Sequence, residues 1–298
     1  MVTQGIVVSS NCQTNGLAAV LRRIFPHSDV VSVPLLGTLD QAVQQPQLLK
    51  ALSSASLWLT FTPKDVSDRV LAQLEGRRPQ VLQIPAIGFS AFHPDLCYVR
   101  NERTGALTVQ HYNSAIAAWA YMRGVDRSDA RRLFNRRSYR ELGYFDQWGP
   151  SREFLERSFK YCRLQDCFEP FFLHVQRRGV FMHSTNHPKI AVLEQLGKLL
   201  ALKLVPERDV RAIELEVHDE LADVSWPLYP DIAEQLALPG GNYIWRFSAR
   251  EVYEGIDDYL DYCYRSYEAQ SLEPGHMTIL HRNLEQLDTV LGAQLRGF

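Results

Sequence analysis

The first hundred residues alternate short β-branched runs with amphipathic helices, and that alternation leaves few folds open to the chain. Residues 5–10 (GIVVSS) form the kind of run that fills a strand buried on both faces. After the turn Asn11-Cys12-Gln13-Thr14-Asn15-Gly16, residues Leu17, Val20, Leu21 and Ile24 recur at helical spacing, and Pro26 ends the helix. Residues 29–35 (DVVSVPL) and 56–61 (SLWLTF) read as the next strands, with Pro34 placing the first at an edge or at its end. Thr62-Pro63-Lys64-Asp65 then has the form of a helix start: a hydroxyl cap, proline at the first helical position and a carboxylate in the first turn. Residues 80–84 (QVLQI) give one more strand. Strand-helix alternation with short connections predicts an α/β fold, a parallel sheet covered by helices.

The remainder reads as mostly helical. Apolar periodicity predicts helices over 114–123, 128–134, 151–162 and 190–204, and another from about 248 to 267. Residues 177–183 (RRGVFMH) look like a late strand that rejoins the sheet and delivers Ser184-Thr185-Asn186-His187-Pro188 to its end. The expected organisation is one α/β domain over 1–298. Its sheet core is formed by 1–100 and about 177–204, with a helical insertion at about 105–170 and a mainly helical C-terminal region at 205–298.

Composition excludes several function classes. Lys plus Arg number 32 against 34 Asp plus Glu, a formal charge of -2, so no global field draws in nucleic acid, and any anion site must be local. The five cysteines are scattered with no CxxC pair, which argues against a disulfide framework and a structural zinc site. No basic, apolar leader opens the chain and no apolar run is long enough to span a bilayer, so a cytoplasmic location is expected.

In open parallel sheets ligands bind at the carboxyl ends of the strands, where Cys12 falls. A thiol at a helix start feels the positive end of the helix dipole and nearby backbone N–H groups, which favour a thiolate and a developing oxyanion. Cys12 is therefore the candidate nucleophile or acyl-handling group, and Asn11 and Gln13 flank it with amides able to donate to an oxyanion. A buried, inert cysteine is the alternative. His187, in a loop after an apolar run, is the best-placed base, with His183 as runner-up. The pair spells HxxxH but lacks a following glutamate or a carboxylate cluster, so no metal is expected. His93, just past a strand in Phe92-His93-Pro94-Asp95, is a candidate cofactor-binding residue; the alternative is a loop histidine bonded to Asp95 that only shapes the turn.

Neither GxxxxGK[ST] nor GxGxxG occurs, which weighs against Walker-type ATPases and Rossmann dehydrogenases. The helix start at Thr62 and Lys64 offers backbone donors and an ammonium group for a phosphate. Arg136 and Arg137, within the basic run 127–140, are further candidates, although such runs more often form solvated helix faces.

Three segments together, Ser10-Asn11-Cys12-Gln13, Phe92-His93-Pro94-Asp95-Leu96-Cys97-Tyr98 and Ser184-Thr185-Asn186-His187-Pro188, resemble the WcbI-like family of polysaccharide biosynthesis proteins. Members show a GNCQ-type turn, a PDxxY-type segment and a late NHP. Ser10 stands here where glycine is usual, which alters the turn's backbone freedom but not its chemistry. The resemblance implies a core similar to SGNH-type esterases. It also implies acetyl transfer from acetyl-CoA, bound as co-substrate, to a sugar hydroxyl of a capsular or other surface polysaccharide precursor. Carried over by motif, the family's cysteine is Cys12, its glutamine Gln13, its acidic loop residue Asp95 and its histidine His187. Association with biosynthetic machinery is the expected partnership. A deacetylase or thioesterase using the same turn, and a non-catalytic nucleotide-sugar or partner-binding module, remain alternatives.

Overall fold

In a computed structural model, residues 5–35, 41, 44–206, 210 and 213–297 are described. They divide into two compact units, one formed by 1–88 and 152–222, the other by 89–151 and 223–298.

The first unit is built on a four-stranded parallel sheet in the order β2-β1-β3-β4, with β1 at Gly5–Ser9, β2 at Asp29–Ser32, β3 at Leu57–Thr60 and β4 at Gln80–Gln83. The two central strands carry the apolar runs: Ile6, Val7 and Val8 are buried, as is every residue of β3. β2 is an edge strand that ends before Pro34, the placement a ring without an N–H allows. Val7 and Trp58 join a core with Leu48 and Leu52 of α2 (Pro46–Ser54) and Val66 and Val70 of α3 (Lys64–Leu71).

Helix α1 (Thr14–Ile24) packs on the helix Ile190–Leu204, and glycine makes the approach close. A Cβ at Gly16 would press on Leu193, and one at Gly197 would overlap Val20, so each helix sinks a side chain where its partner has none. A side chain at Gly197 has no room unless Val20 moves, whereas at Gly16 the end of the Leu193 side chain can give way.

The second unit is mixed. A three-stranded antiparallel sheet orders β6 (Asn113–Ser114), β5 (Leu96–Asn101) and β9 (Met277–Leu280), and β7 (Ile244–Ser248) pairs with β8 (Glu251–Glu254). Helices α4 (Ala115–Met122), α5 (Arg127–Arg132) and α6 (Arg136–Glu141) each start from a side-chain cap: Ser114, Asp126 and Asn135. α7 (Trp148–Tyr161) begins in this unit's residues and continues into those of the first unit, which also hold α8 (Gln165–Gln176) and α9 (Ile190–Leu204); α10 (Pro230–Gln235), α11 (Ile256–Ala269) and α12 (Leu284–Leu295) belong to the second.

The structure corrects three expectations. Residues 177–183 do not join the parallel sheet. α8 runs to Gln176, Gly179 turns with φ 73°, and only Met182 bridges, to Pro188, so the segment closes a loop on itself. The region 205–298 supplies three strands, and the helix expected from 248 begins at Ile256, because β8 and then Gly255 at φ 101° come first. Thr62 does not cap α3. Its hydroxyl is buried between Thr60 Oγ1 at 3.0 Å and Ser67 Oγ at 2.8 Å, where satisfying interior hydroxyls outweighs capping an exposed helix start.

Candidate active site

The carboxyl end of β1 runs into a tightly bonded turn. Ser10 N donates to Thr14 Oγ1 at 2.8 Å, while Thr14 N and Oγ1 both donate to the Asn11 carbonyl, at 3.1 and 2.7 Å. The Asn11 side-chain oxygen accepts from Gln13 N at 3.0 Å, an Asx-turn that fixes the backbone around Cys12. The half-buried Cys12 thiol has its pKa raised: burial is the largest influence, and the backbone amides of Cys12 and Gln13 pull it down by less. Burial therefore outweighs the local backbone donors at this thiol.

Gln13 has a different task from the one its position suggests. Its buried amide nitrogen donates to the Ile87 carbonyl at 2.7 Å and to the Asn186 carbonyl at 3.0 Å. Both amide hydrogens are thereby committed, and neither is left for an oxyanion. What the side chain does is clamp the Cys12 turn to the residue that precedes His187. It also ties in the segment after β4, where a Cβ on Gly88 would sit 3.1 Å from Phe154 and 3.6 Å from the Thr185 carbonyl.

The loop carrying His187 is closed by its own backbone: His183 N donates to the His187 carbonyl at 2.7 Å and Lys189 N to the Phe181 carbonyl at 3.0 Å. The His187 imidazole has its pKa pushed down to about 4, first by burial and then by the charge of His183, against an opposing pull from Asp219. His187 is a neutral imidazole at pH 7, the form that accepts a proton.

Asp219 is a site residue that the sequence did not point out. Its Oδ2 lies 2.9 Å from His183 Nε2 and accepts from Ile190 N, at the start of α9, at 2.9 Å. These bonds hold its carboxyl low although burial works the other way. Asp219 sits 36 positions after His183 among other acidic residues, with no motif or periodicity to single it out.

At the carboxyl ends of β3 and β4 lies a mainly apolar cavity of about 370 Å³, lined among others by Phe61, Ile84, Phe154 and Tyr161, with Arg157 at its wall. The Tyr161 hydroxyl accepts from Lys64 N at 3.1 Å, tying the cavity to the start of α3. The Lys64 ammonium is exposed and pairs with Asp68 at 2.6 Å.

The remaining candidates belong to the second unit, where each is tied to its own surroundings. The buried Asp95 carboxylate accepts from Tyr144 Oη at 2.8 Å, Tyr229 Oη at 2.7 Å and Ile116 N at 3.2 Å. His93 does not bond Asp95; its Nδ1 lies 3.2 Å from the Pro227 carbonyl. Arg136 pairs with Glu234 at 2.6 Å and Asp231 at 3.5 Å, and Arg137 with Glu141 at 2.8 Å. Among the described residues no cluster of histidines, cysteines and carboxylates could hold a metal ion, and no helix is long and apolar enough to cross a membrane.

A parallel sheet that presents a thiol and a neutral imidazole at the carboxyl end of its strands has the form of an enzyme site. The family of the polysaccharide biosynthesis enzyme WcbI matches residues 5–207, and the chain belongs to that family. A solved structure of WcbI, described as a novel polysaccharide biosynthesis enzyme in its native form without a disulfide bond between coenzyme A and a cysteine, is similar with a TM-score of 0.63. The two are 14% identical, over 99% of this chain and 95% of that one, which shows the fold. No curated protein matches the chain.

Proposed function

We propose that the chain is a coenzyme A-dependent O-acetyltransferase that moves acetyl from acetyl-CoA to a sugar hydroxyl during assembly of a capsular or surface polysaccharide. The observation that carries this reading is the Gln13 clamp, which sets Cys12 and the His187 loop side by side at the strand ends. The naming of coenzyme A with a cysteine in the WcbI structure supports the choice of ligand.

In the proposed reaction His187, neutral at working pH, takes the proton of the acceptor hydroxyl as its oxygen attacks the thioester carbonyl. Collapse of the tetrahedral intermediate breaks the carbon–sulfur bond, and the leaving coenzyme A sulfur receives the proton back. Gln13 N and Thr14 N are already bonded to Asn11, so the Cys12 backbone amide is the turn's donor for the developing oxyanion in this reading. The raised thiol pKa of Cys12 favours direct transfer over an acetyl-cysteine intermediate, because a buried neutral thiol is a weak nucleophile. The apolar cavity beside Tyr161 suits the uncharged arm of the cofactor. Lys64, with the backbone at Thr62, and Arg157 are the donors for its phosphates. Arg136 and Arg137 already face carboxylates and enter this reading only as secondary candidates.

The SGNH-like character of the strand-turn-helix site, a cytoplasmic location and association with biosynthetic machinery belong to the same reading. The Asp219–His183 pair, a carboxylate orienting an imidazole as in hydrolases, favours a thioesterase as the second reading. Thermal-shift measurements with coenzyme A, acetyl-CoA, ATP and nucleotide sugars test the proposal. A tight ligand of the folded state raises the melting temperature by mass action. Stabilisation by coenzyme A and its acetyl ester supports the transferase, stabilisation by none of the four ligands refutes it, and coenzyme A release without a sugar acceptor moves the assignment to the thioesterase.

A further inference from the structure

We propose that the second unit holds its own binding site for an anionic saccharide, a sugar carrying a carboxylate or a phosphate, with Arg282 as the anion ligand. A cavity of about 190 Å³ lies at the start of α12, lined among others by Tyr144, Gln147, His281, Arg282, Asn283 and Gln286.

Arg282 is unlike the paired arginines of the surface. Arg103, Arg123 and Arg127 each face a carboxylate within 2.8 Å. The Arg282 guanidinium instead donates to two backbone carbonyls, Leu96 O at 2.6 Å and His281 O at 3.3 Å, and its buried Nε has no partner among the described residues. An always-charged guanidinium held by carbonyls rather than by a carboxylate keeps a second N–H on each terminal nitrogen, the donors an incoming oxyanion can take.

The rest of the lining has the same character. His281 adopts φ 63°, a left-handed conformation that costs a non-glycine residue and recurs at ligand clamps. Asn283 caps the 12-residue α12 through Gln286 N, placing the positive end of that helix at the same mouth. Gln147 and Gln286 each donate one amide N–H to a backbone carbonyl, of Gly143 and Glu141, which orients the amides and leaves each a second N–H and an oxygen for sugar hydroxyls. Tyr144, buried, stacked on Tyr139 and with its hydroxyl committed to Asp95, forms part of the lining. The anionic class follows from the charge; the choice of a saccharide rests on the polysaccharide reading above.

The test is isothermal titration of the full chain with glucuronic acid, glucose 1-phosphate, glucose and inorganic phosphate, with coenzyme A titrated in parallel. Wild-type protein is expected to bind an acidic sugar and not glucose; glucuronic acid alone assigns a carboxylate, the sugar phosphate alone a phosphate. Asn283→Asp keeps the helix cap, since aspartate caps as well as asparagine, but adds a negative charge to the cavity. It should weaken acidic-sugar binding tenfold or more and leave coenzyme A affinity unchanged. His281→Gly should raise the melting temperature while weakening the same ligand. Failure of both acidic sugars to bind, binding of inorganic phosphate alone, or equal binding by Asn283→Asp overturns the proposal. Acidic-sugar binding that persists without any coenzyme A affinity refutes the transferase and leaves this site standing.

Discussion

Two motif segments that the sequence marks alike turn out to have opposite surroundings. At Asp95 in the second unit every contact is a donor aimed at a carboxylate: two tyrosine hydroxyls and one backbone amide share its two oxygens. At Cys12 and His187 in the first unit, burial and neighbouring charge work against ionisation, raising the thiol and lowering the imidazole. One arrangement surrounds a carboxyl with donors; the other places a thiol and an imidazole where burial opposes their charged forms. A buried polar residue that is fully satisfied supports a structure, whereas one held away from its ordinary pKa is prepared for chemistry.

The largest test of this contrast is a pair of substitutions. Asp95→Ala leaves two buried tyrosine hydroxyls and an amide without their acceptor, which should cost about 3–5 kcal/mol of stability in urea denaturation. His187→Gln should change stability by less than about 1 kcal/mol while lowering acetyl-CoA turnover by about 10²–10⁴-fold. Normal stability with lost turnover in Asp95→Ala would put Asp95 in the chemistry and break the comparison.

Gln13 tests the junction within the first unit. Gln13→Met retains bulk and removes the donor to the Ile87 and Asn186 carbonyls. A loss of about 2–3 kcal/mol is expected, together with weaker coenzyme A binding. A stable variant with unchanged affinity would mean that the Cys12 turn and the His187 loop hold their places without the clamp.

The parts legible in the sequence are those fixed by short-range pattern. The β-branched run at residues 5–10, the helix after it and the edge position signalled by Pro34 depend on neighbours a few residues away, and the parallel sheet follows from their alternation. The motif segments located the Cys12 turn and the His187 loop. What remained hidden depends on long-range partners. Tyr144 and Tyr229 reach Asp95 from 49 and 134 positions away, and Asp219 reaches His183 from 36. β9 is a four-residue run whose strand character comes from its pairing with β5. The burial that raises the Cys12 thiol is hidden for the same reason: the helix start is visible in sequence, while the burial is not.

The pH dependence of stability separates the two regions without a change of ligand. Because the His187 pKa in the folded chain lies near 4, below the ordinary value of about 6.5, the unfolded chain binds the extra proton first as pH falls. Its neutral burial is fully tolerated above pH 6.5, and stability drops between pH 6.5 and 4 by up to about 3 kcal/mol. His187→Gln should flatten that window in denaturation midpoints taken at half-unit steps. A window that persists in the variant would assign the loss to another group.

The smallest effect expected is at Lys64. Its pair with Asp68 is exposed on both sides, so Lys64→Ala should cost no more than about 0.5 kcal/mol of stability, the usual contribution of an i,i+4 pair on a helix surface. If the ammonium also meets a phosphate of coenzyme A, affinity should fall severalfold, and the loss should shrink as ionic strength rises from 0.05 to 0.5 M because screening weakens an exposed contact. Affinity that is unchanged in Lys64→Ala moves phosphate recognition to Arg157, which lies at the wall of the apolar cavity and is the next cation along the same strand ends. The two outcomes differ in what they say about the first unit. In one the cofactor's phosphates rest on a helix start in open water; in the other they are drawn against the aromatic wall formed by Phe154 and Tyr161.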